Sequence, residues 1–208
     1  MTIDKRQYAS ATTRNRDAIY NCLKDRLPKG GTLLEVASGT GEHAAYLAPL
    51  LQDIIWQPTI FDENQLASVE AWRAHVIAKN ILPPLRLDAA SLHWPIEEKN
   101  YIHSPISAIF NANMVHISPW SVCEGLFAGA RRTLTTGGKI FLYGPFKING
   151  EQTAPSNVEF EQWLKNQNTA FGVRDLTDII AEAEKNGLSH LESCPMPANN
   201  FIQVFVKS

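Results

Sequence analysis

Cysteine is scarce. Cys22, Cys123 and Cys194 are odd in number and far apart, so the sequence carries neither a disulfide framework nor a paired-thiol metal clamp. Charge is modest too: a net −2 over the chain leaves no electrostatic footprint for nucleic acid, which is not expected as a partner. No apolar run approaches membrane-spanning length, and the start Met1-Thr2-Ile3-Asp4-Lys5-Arg6 is too polar for a signal peptide. No membrane partner is therefore expected, and a soluble, reducing, cytoplasmic location is the default. His43, His75, His93, His103, His116 and His190 show no spacing of the HxxxH kind, so no metal site is expected. Repeats, low-complexity tracts and linkers are also missing. The 208 residues suit one domain, 1–208, as a monomer or homodimer.

What is present is alternation. Residues 12–27 read as an amphipathic helix capped by Thr12 or Thr13, with Ile19, Cys22, Leu23 and Leu27 on one face. Strands are expected at 32–36, 53–59, 84–88, 106–110 and 139–143, the last after a Gly137-Gly138 turn. Helices are expected over 42–51, from Leu66, from a Ser118-Pro119 cap through Leu134, from about Ser156, and from about Asp175 to Gly187. Strands 188–193 and 201–206 close the chain around a Pro195-Met196-Pro197 break. The pattern predicts a single-domain, doubly wound α/β sheet of Rossmann-like type, with helices on both faces and an antiparallel terminal pair.

The run Leu33-Leu34-Glu35-Val36-Ala37-Ser38-Gly39-Thr40-Gly41-Glu42-His43 is a strand, a small-residue loop and a helix start, which is the form of a cofactor site. Gly39 to Ala44 also fits the G-x-G-x-x-G/A dinucleotide pattern, so an NAD-dependent oxidoreductase is one reading. Three acids point elsewhere. Glu35 ends the first strand, Asp62 follows the second, and Asp88 ends the third, before Ala89. Acids at three successive strand ends suit an amino group, a ribose diol and an adenine amine, which together describe S-adenosylmethionine. The flanking Glu35 and Glu42 would repel a pyrophosphate. Local duties compete for two of these residues: Asp88 as a turn or helix cap, and Asp62 as first-turn helix charge.

Further blocks occur in order: Phe110 to Trp120 (FNANMVHISPW), Leu142 to Lys147 (LYGPFK), Ala154 to Asn157 (APSN), Gly172 to Asp175 (GVRD) and Met196 to Asn200 (MPANN). With Glu35 to His43, they closely resemble the family called domain of unknown function 938, whose animal relatives are named methyltransferase-like protein 26. The resemblance spans nearly the whole chain. It implies a class I S-adenosylmethionine-dependent methyltransferase fold, with a seven-stranded sheet whose last strand is antiparallel. Two positions depart from the pattern: Ala37 stands where many class I enzymes have glycine, and Thr59-Ile60 stands where the family has Ser-Asp. That displaces the ribose-binding acid, for which Asp62 is the substitute.

The expected cofactor-binding set is Arg14, Glu35, Ala37, Ser38, Gly39, Gly41, His43, Asp62, Asp88, Ala89, Asn111 and Asn113, holding S-adenosylmethionine and, as product, S-adenosylhomocysteine. Arg14 would reach the cofactor's carboxylate, or form a solvated helix face. His116 and Asn113, after the fourth strand, are the candidate catalytic residues, because His116 titrates near neutrality. Its competing duty is capping the next helix or bonding backbone. Tyr143, Lys147, Asn157 and Arg174 are candidate substrate contacts. Arg174 would clamp an anion, or pair with Asp175 or Glu182. Ser156 reads as a helix cap, and Asn199-Asn200 as the turn between the last strands. The expected function is methyl transfer to a small-molecule acceptor. The alternative is a non-catalytic cofactor-binding or interaction protein that keeps the fold.

Overall fold

Strands buried on both faces must be nearly continuous in apolar residues, and the central strands here are. The computed structural model describes residues 4–208. In it, β1 (Thr32–Glu35) is buried at every position and lies between β2 (Ile55–Ile60) and β4 (Ile106–Ala112), both parallel to it. The short β3 (Leu85–Arg86) extends the sheet beyond β2, and β5 (Leu134–Gly144) extends it beyond β4. β7 (Asn200–Lys207) runs antiparallel to β5, and β6 (Leu188–Met196) forms the far edge. The seven-stranded order is β3-β2-β1-β4-β5-β7-β6. The antiparallel terminal hairpin is the one expected. Its three-residue connection, Pro197 to Asn199, holds Ala198 and Asn199 in left-handed backbone at φ 57°, with Asn200 N donating back to Pro197 O.

Helices cover both faces. On one, α1 (Ser10–Leu23) and α2 (Glu42–Leu47) bury Ile19, Leu23 and Leu47 against Leu33, Trp56, Phe110 and Phe141. On the other, α4 (Trp120–Thr133) and α6 (Leu176–Lys185) bury Leu126, Phe127 and Ile179 against Leu34, Ile109, Leu142 and Phe205. α3 (Leu66–His75) follows β2, and α5 (Pro155–Gln167) follows the loop after β5. No helix among the described residues is long and apolar enough to cross a membrane.

Several boundaries differ from expectation, each for a local reason. α1 starts at Ser10 behind an extended Ala9, and Thr12 is buried rather than capping. The Ser118 hydroxyl donates to Met114 O at 2.7 Å, which leaves Pro119 as the residue before α4. α5 begins at Pro155, whose missing N–H costs nothing in a first turn, so Ser156 is inside the helix. Leu134 opens β5 instead of closing α4. Gly137-Gly138 is absorbed as an irregularity within β5 where its register to β4 shifts. Pro195 does not break β6: it pairs with Phe201 on an edge strand, where no N–H is required.

α4 lies close to the segment after β3 because its glycines lack side chains. A Cβ on Gly129 would sit 2.0 Å from the ring of the fully buried Trp94. Gly129→Ala should therefore destabilise the fold by about 1–3 kcal/mol, read as a lower urea midpoint at unchanged slope.

Candidate functional site

The C-terminal ends of parallel strands form the crevice where α/β sheets bind ligands, and the glycine loop lies there, between β1 and α2. Glu35 is 2% exposed. Its Oε2 accepts from Trp56 Nε1 at 2.9 Å and Ser38 Oγ at 2.8 Å, and Oε1 has no partner among the described residues. Burial pushes its pKa up to about 7, against the two hydrogen bonds, which pull it down. Thr59 completes the knot. Its hydroxyl donates to Glu35 O and accepts from Ala37 N, while Ser38 N donates to Thr59 O. Thr59 is thus occupied by structural work, and Ile60, where the resemblance led us to expect an acid, is buried.

The loop turns through left-handed backbone at Ala37 (φ 59°), Gly39 (58°) and Gly41 (89°). Ala37 tolerates a conformation that favours glycine because the Thr59 hydroxyl holds its N–H. A Cβ on Gly41 would approach Val69 Cα to 2.9 Å, so α3 presses directly on the loop. Residues 4–9 strap this corner. Gln7 N donates to Ser68 Oγ, which donates to Thr40 O at 2.7 Å. Trp72 Nε1 donates to Gln7 O, and the Glu42 carboxylate accepts from Ala9 N and Thr40 Oγ1. Arg6 stacks on Trp72, its guanidinium 4.9 Å from the ring centre.

The other two acids behave alike. Asp62 Oδ1 accepts from Asn64 N, and Asp88 Oδ1 accepts from Ala90 N, both at 2.9 Å. Both residues are exposed, and each keeps its second oxygen free of partners among the described residues. Asp88 thus has its expected turn duty, whereas Asp62 caps the turn at Glu63–Gln65 instead of lying in a helix's first turn, and each has one acceptor to spare. Ala89 is buried against α4, where Gly125 makes room for its carbonyl. Asn111 is fully buried, donating to Val36 O at 2.8 Å with its own carbonyl oxygen unpaired. Asn113 takes left-handed backbone (φ 65°) and its N–H donates to Tyr143 O, which joins the ends of β4 and β5.

His116 does not fit the role expected of it. It is fully buried, its Nδ1 accepts from Arg174 N at 3.3 Å, and Nε2 lies against Gly144, where an added Cβ would come to 2.4 Å. Burial, helped by the Arg174 charge, lowers its pKa to about 3. A neutral, sealed imidazole cannot take a proton from a ligand, so His116 is a scaffold for the turn after β4. Arg174 is spent on the same turn, donating to Val115 O, Ser118 O and Ala170 O, with neither Asp175 nor Glu182 as partner. Lys147 is paired with Glu161 at 2.7 Å. Asn157 is buried, donating to Thr153 Oγ1. Lys147, Arg174 and Glu161 also line an open cleft of about 1090 Å³ together with Trp120, Lys165 and Phe171, away from the glycine loop. In that cleft Lys147 and Lys165 share Glu161, and Arg174 and Asp175 are bound to backbone groups.

On the α1 face the structure assembles a group that the sequence reading did not. Asn15 is 5% exposed, and its Oδ1 lies 2.9 Å from His43 Nε2. Burial lowers the His43 pKa to about 4, so the ring is neutral and Nε2 carries the proton it donates to Asn15. Burial raises the pKa of the Tyr143 phenol, against the Asn15 amide and the Arg14 charge, which act in the opposite direction. Arg14 is exposed, with no ion pair among the described residues. One signal was available: Asn15 is a polar residue on the buried stripe shared by Ile19, Cys22 and Leu23. Among the described residues no group of three or more His, Cys, Asp or Glu is disposed to hold a metal.

A sequence-family profile described as Protein of unknown function (DUF938) matches residues 6–207. The chain belongs to the DUF938 family. Its fold is that of the S-adenosylmethionine-dependent methyltransferases. Similar solved structures include the mitomycin 7-O-methyltransferase MmcR, at 13% identity and TM-score 0.76, covering 96% of this chain and 55% of that one. Human N-acetylserotonin methyltransferase in complex with SAM matches at 12% identity and TM-score 0.73, over 95% of this chain and 53% of that one. CalO1, a methyltransferase in calicheamicin biosynthesis in its SAH-bound form, matches at 13% identity and TM-score 0.69, over 92% and 54%. The chain spans little more than half the length of these proteins.

The buried carboxyl has a measurable signature. Because the folded state raises the Glu35 pKa from 4.5 to about 7, its contribution to stability is full below the unfolded value and is lost as pH rises through the folded one. At ~1.4 kcal/mol per pH unit the loss is ~3 kcal/mol. Urea unfolding at about pH 5 and about pH 8 should show this decline in the wild type, and Glu35→Gln should abolish it.

Proposed function

We propose that the protein is a methyltransferase that binds S-adenosylmethionine at the glycine loop and transfers its methyl group to a small-molecule acceptor. The observation that carries this is Glu35, a buried carboxyl with one oxygen anchored by Trp56 and Ser38 and the other unpaired, at the start of a loop that is open at Gly39. The free oxygen suits the ammonium of the methionine arm. Backbone from Ala37 to Gly41 approaches the ligand, with Ser38 and His43 fixing the loop from below. The spare oxygen of Asp62 suits the ribose diol and that of Asp88 the adenine amine, with Ala89 beside it. Asn113 lines the methionine arm from the end of β4, where the buried Asn111 holds Val36 O behind the loop, and Arg14 reaches its carboxylate from α1.

When bound, the cofactor supplies an electrophilic methyl carbon on a sulfonium. The chain's residues have to align a nucleophile with it and exclude water, for which proximity alone contributes large rate factors. The strap of residues 4–9 and α1 shield the loop from one side, and the turn braced by His116 and Arg174 fixes the end of β4 from the other. Tyr143 and Asn157 are the proposed acceptor contacts. Lys147 and Arg174 act on acceptor binding only through the loops they hold.

Calorimetry with S-adenosylhomocysteine is the test. Binding in the micromolar range is expected, weakened about tenfold or more by Gly41→Ala and about tenfold by Asp88→Ala, at the ~1.4 kcal/mol typical of a lost hydrogen bond to a charged group. Because an ammonium demands ionised Glu35, affinity should fall as pH drops below about 7, by up to tenfold per pH unit, with proton release on binding. In Glu35→Gln that pH dependence should vanish. Absence of binding to the wild type would end the reading, and binding without turnover of cofactor in the presence of metabolite extract would favour a non-catalytic role.

A further inference from the structure

One buried donor has no acceptor, and an unused acceptor lies next to it. His116 Nδ1 accepts from Arg174 N at 3.3 Å, so in the neutral ring the proton sits on Nε2. The residue is fully buried, and Nε2 is sealed without a hydrogen-bond partner among the described residues. Such orphans are rare in folded proteins, because an acceptor brought up to them removes the cost. The ring reaches its place because Gly144 has no side chain: a Cβ there would meet Nε2 at 2.4 Å. Gly144 is not in left-handed backbone, so close approach, and not conformational freedom, is what requires glycine.

The same absent Cβ would meet Asn113 Oδ1 at 3.2 Å, so donor and acceptor flank one glycine. Backbone already joins the two residues, His116 N donating to Asn113 O at 3.0 Å. Asn113 is half-buried, and its carboxamide caps no N–H of the turn it opens. Its left-handed backbone at φ 65° would be served equally by glycine. That duty does not account for the direction of the carboxamide. The oxygen is the atom turned to Gly144 and His116, which leaves the nitrogen facing away. An asparagine held in that sense offers hydrogen-bond donors only. The methionine arm of S-adenosylmethionine carries an ammonium, a sulfonium and a carboxylate, and of these only the carboxylate accepts hydrogen bonds.

Resting on the reading that the loop binds S-adenosylmethionine, we propose that His116 is a positioning residue: its Nε2–H takes Asn113 Oδ1 when cofactor is bound, and Asn113 Nδ2 donates to the carboxylate of the methionine arm. Arg14 reaches one carboxylate oxygen from α1, and Asn113 takes the other from the end of β4. The imidazole neither gains nor loses a proton. Its work is to keep the carboxamide from turning its oxygen toward the carboxylate, where like partial charges would repel. A methionine arm held at both oxygens points the methyl group in one direction, which is the alignment that methyl transfer depends on.

The test uses the full chain carrying isotope-labelled histidine, titrated with S-adenosylhomocysteine and followed by the imidazole N–H resonances. The His116 Nε2–H resonance, identified by its loss in His116→Gln, should move downfield at saturation in the wild type. It should stay in place in Asn113→Gly, which keeps the left-handed turn and removes the amide. Calorimetry should show binding about tenfold weaker in Asn113→Gly, the loss typical of one hydrogen bond to a charged group. His116→Leu should match that loss. His116→Gln, which returns an N–H donor near the same place, should stay within about twofold of the wild type. The double variant Asn113→Gly, His116→Leu should bind no more weakly than Asn113→Gly alone, because His116 acts only through Asn113. A purely structural His116 would instead give losses that multiply. If His116→Leu fails to fold, the resonance in the wild type and in Asn113→Gly carries the test. A resonance unmoved at saturation, multiplied losses, or Asn113→Gly within about twofold of the wild type would each overturn the assignment. Absence of S-adenosylhomocysteine binding by the wild type would instead remove the cofactor reading on which it stands.

Discussion

The Glu35 carboxyl, buried between β1 and β2 and tied to Trp56 and Ser38, is the constraint on which the rest of the site depends. A carboxyl group removed from water costs several kcal/mol unless it is hydrogen-bonded, so its partners cannot move independently of it. Trp56 fixes the neighbouring strand, Ser38 fixes the exit of the loop, and Thr59 ties the two together through three further bonds. The left-handed turn at Ala37 exists inside that cage. Once the loop is set, Gly41 must meet Val69, α3 is placed, and the strap of residues 4–9 finds Ser68 and Trp72 as partners.

Much of this was legible from residues alone. Sheet class, strand succession and the antiparallel final hairpin follow from alternation and from short connections that forbid parallel pairing. Glu35 was recognisable as an acid in need of a partner, because two leucines precede it at a strand end. Its partner was not, since the register that brings Leu33 opposite Trp56 is a property of the assembled sheet. Boundaries were misplaced where tertiary context overrides a local signal: Pro195 continues a strand because that strand is an edge, and Gly137-Gly138 is taken up within β5. His116 looked chemically apt by its reference pKa, yet Gly144 and Phe146 close over it. Burial, not residue type, decides whether a histidine titrates.

The turn after β4 is held by a different device. Arg174 donates to Val115 O and Ser118 O, backbone that would otherwise be orphaned near the core, while His116 Nδ1 accepts from Arg174 N. A strong donor is used there for shape. Some polar groups are nevertheless left one bond short: Glu35 keeps one free oxygen, and Asn111 Oδ1 and His116 Nε2 are buried without a partner among the described residues.

Asn15 shows how the same constraint reaches α1. An asparagine on an otherwise apolar helix stripe gives up packing against the sheet, and its Oδ1 is taken by His43 Nε2 at 2.9 Å. That bond ties α1 to the start of α2, the helix into which the glycine loop runs, so the loop is held from the helix layer as well as from Thr59 and Val69. A leucine at position 15 would pack better against the sheet and would leave the buried His43 N–H without its acceptor, at a cost that outweighs the packing gained.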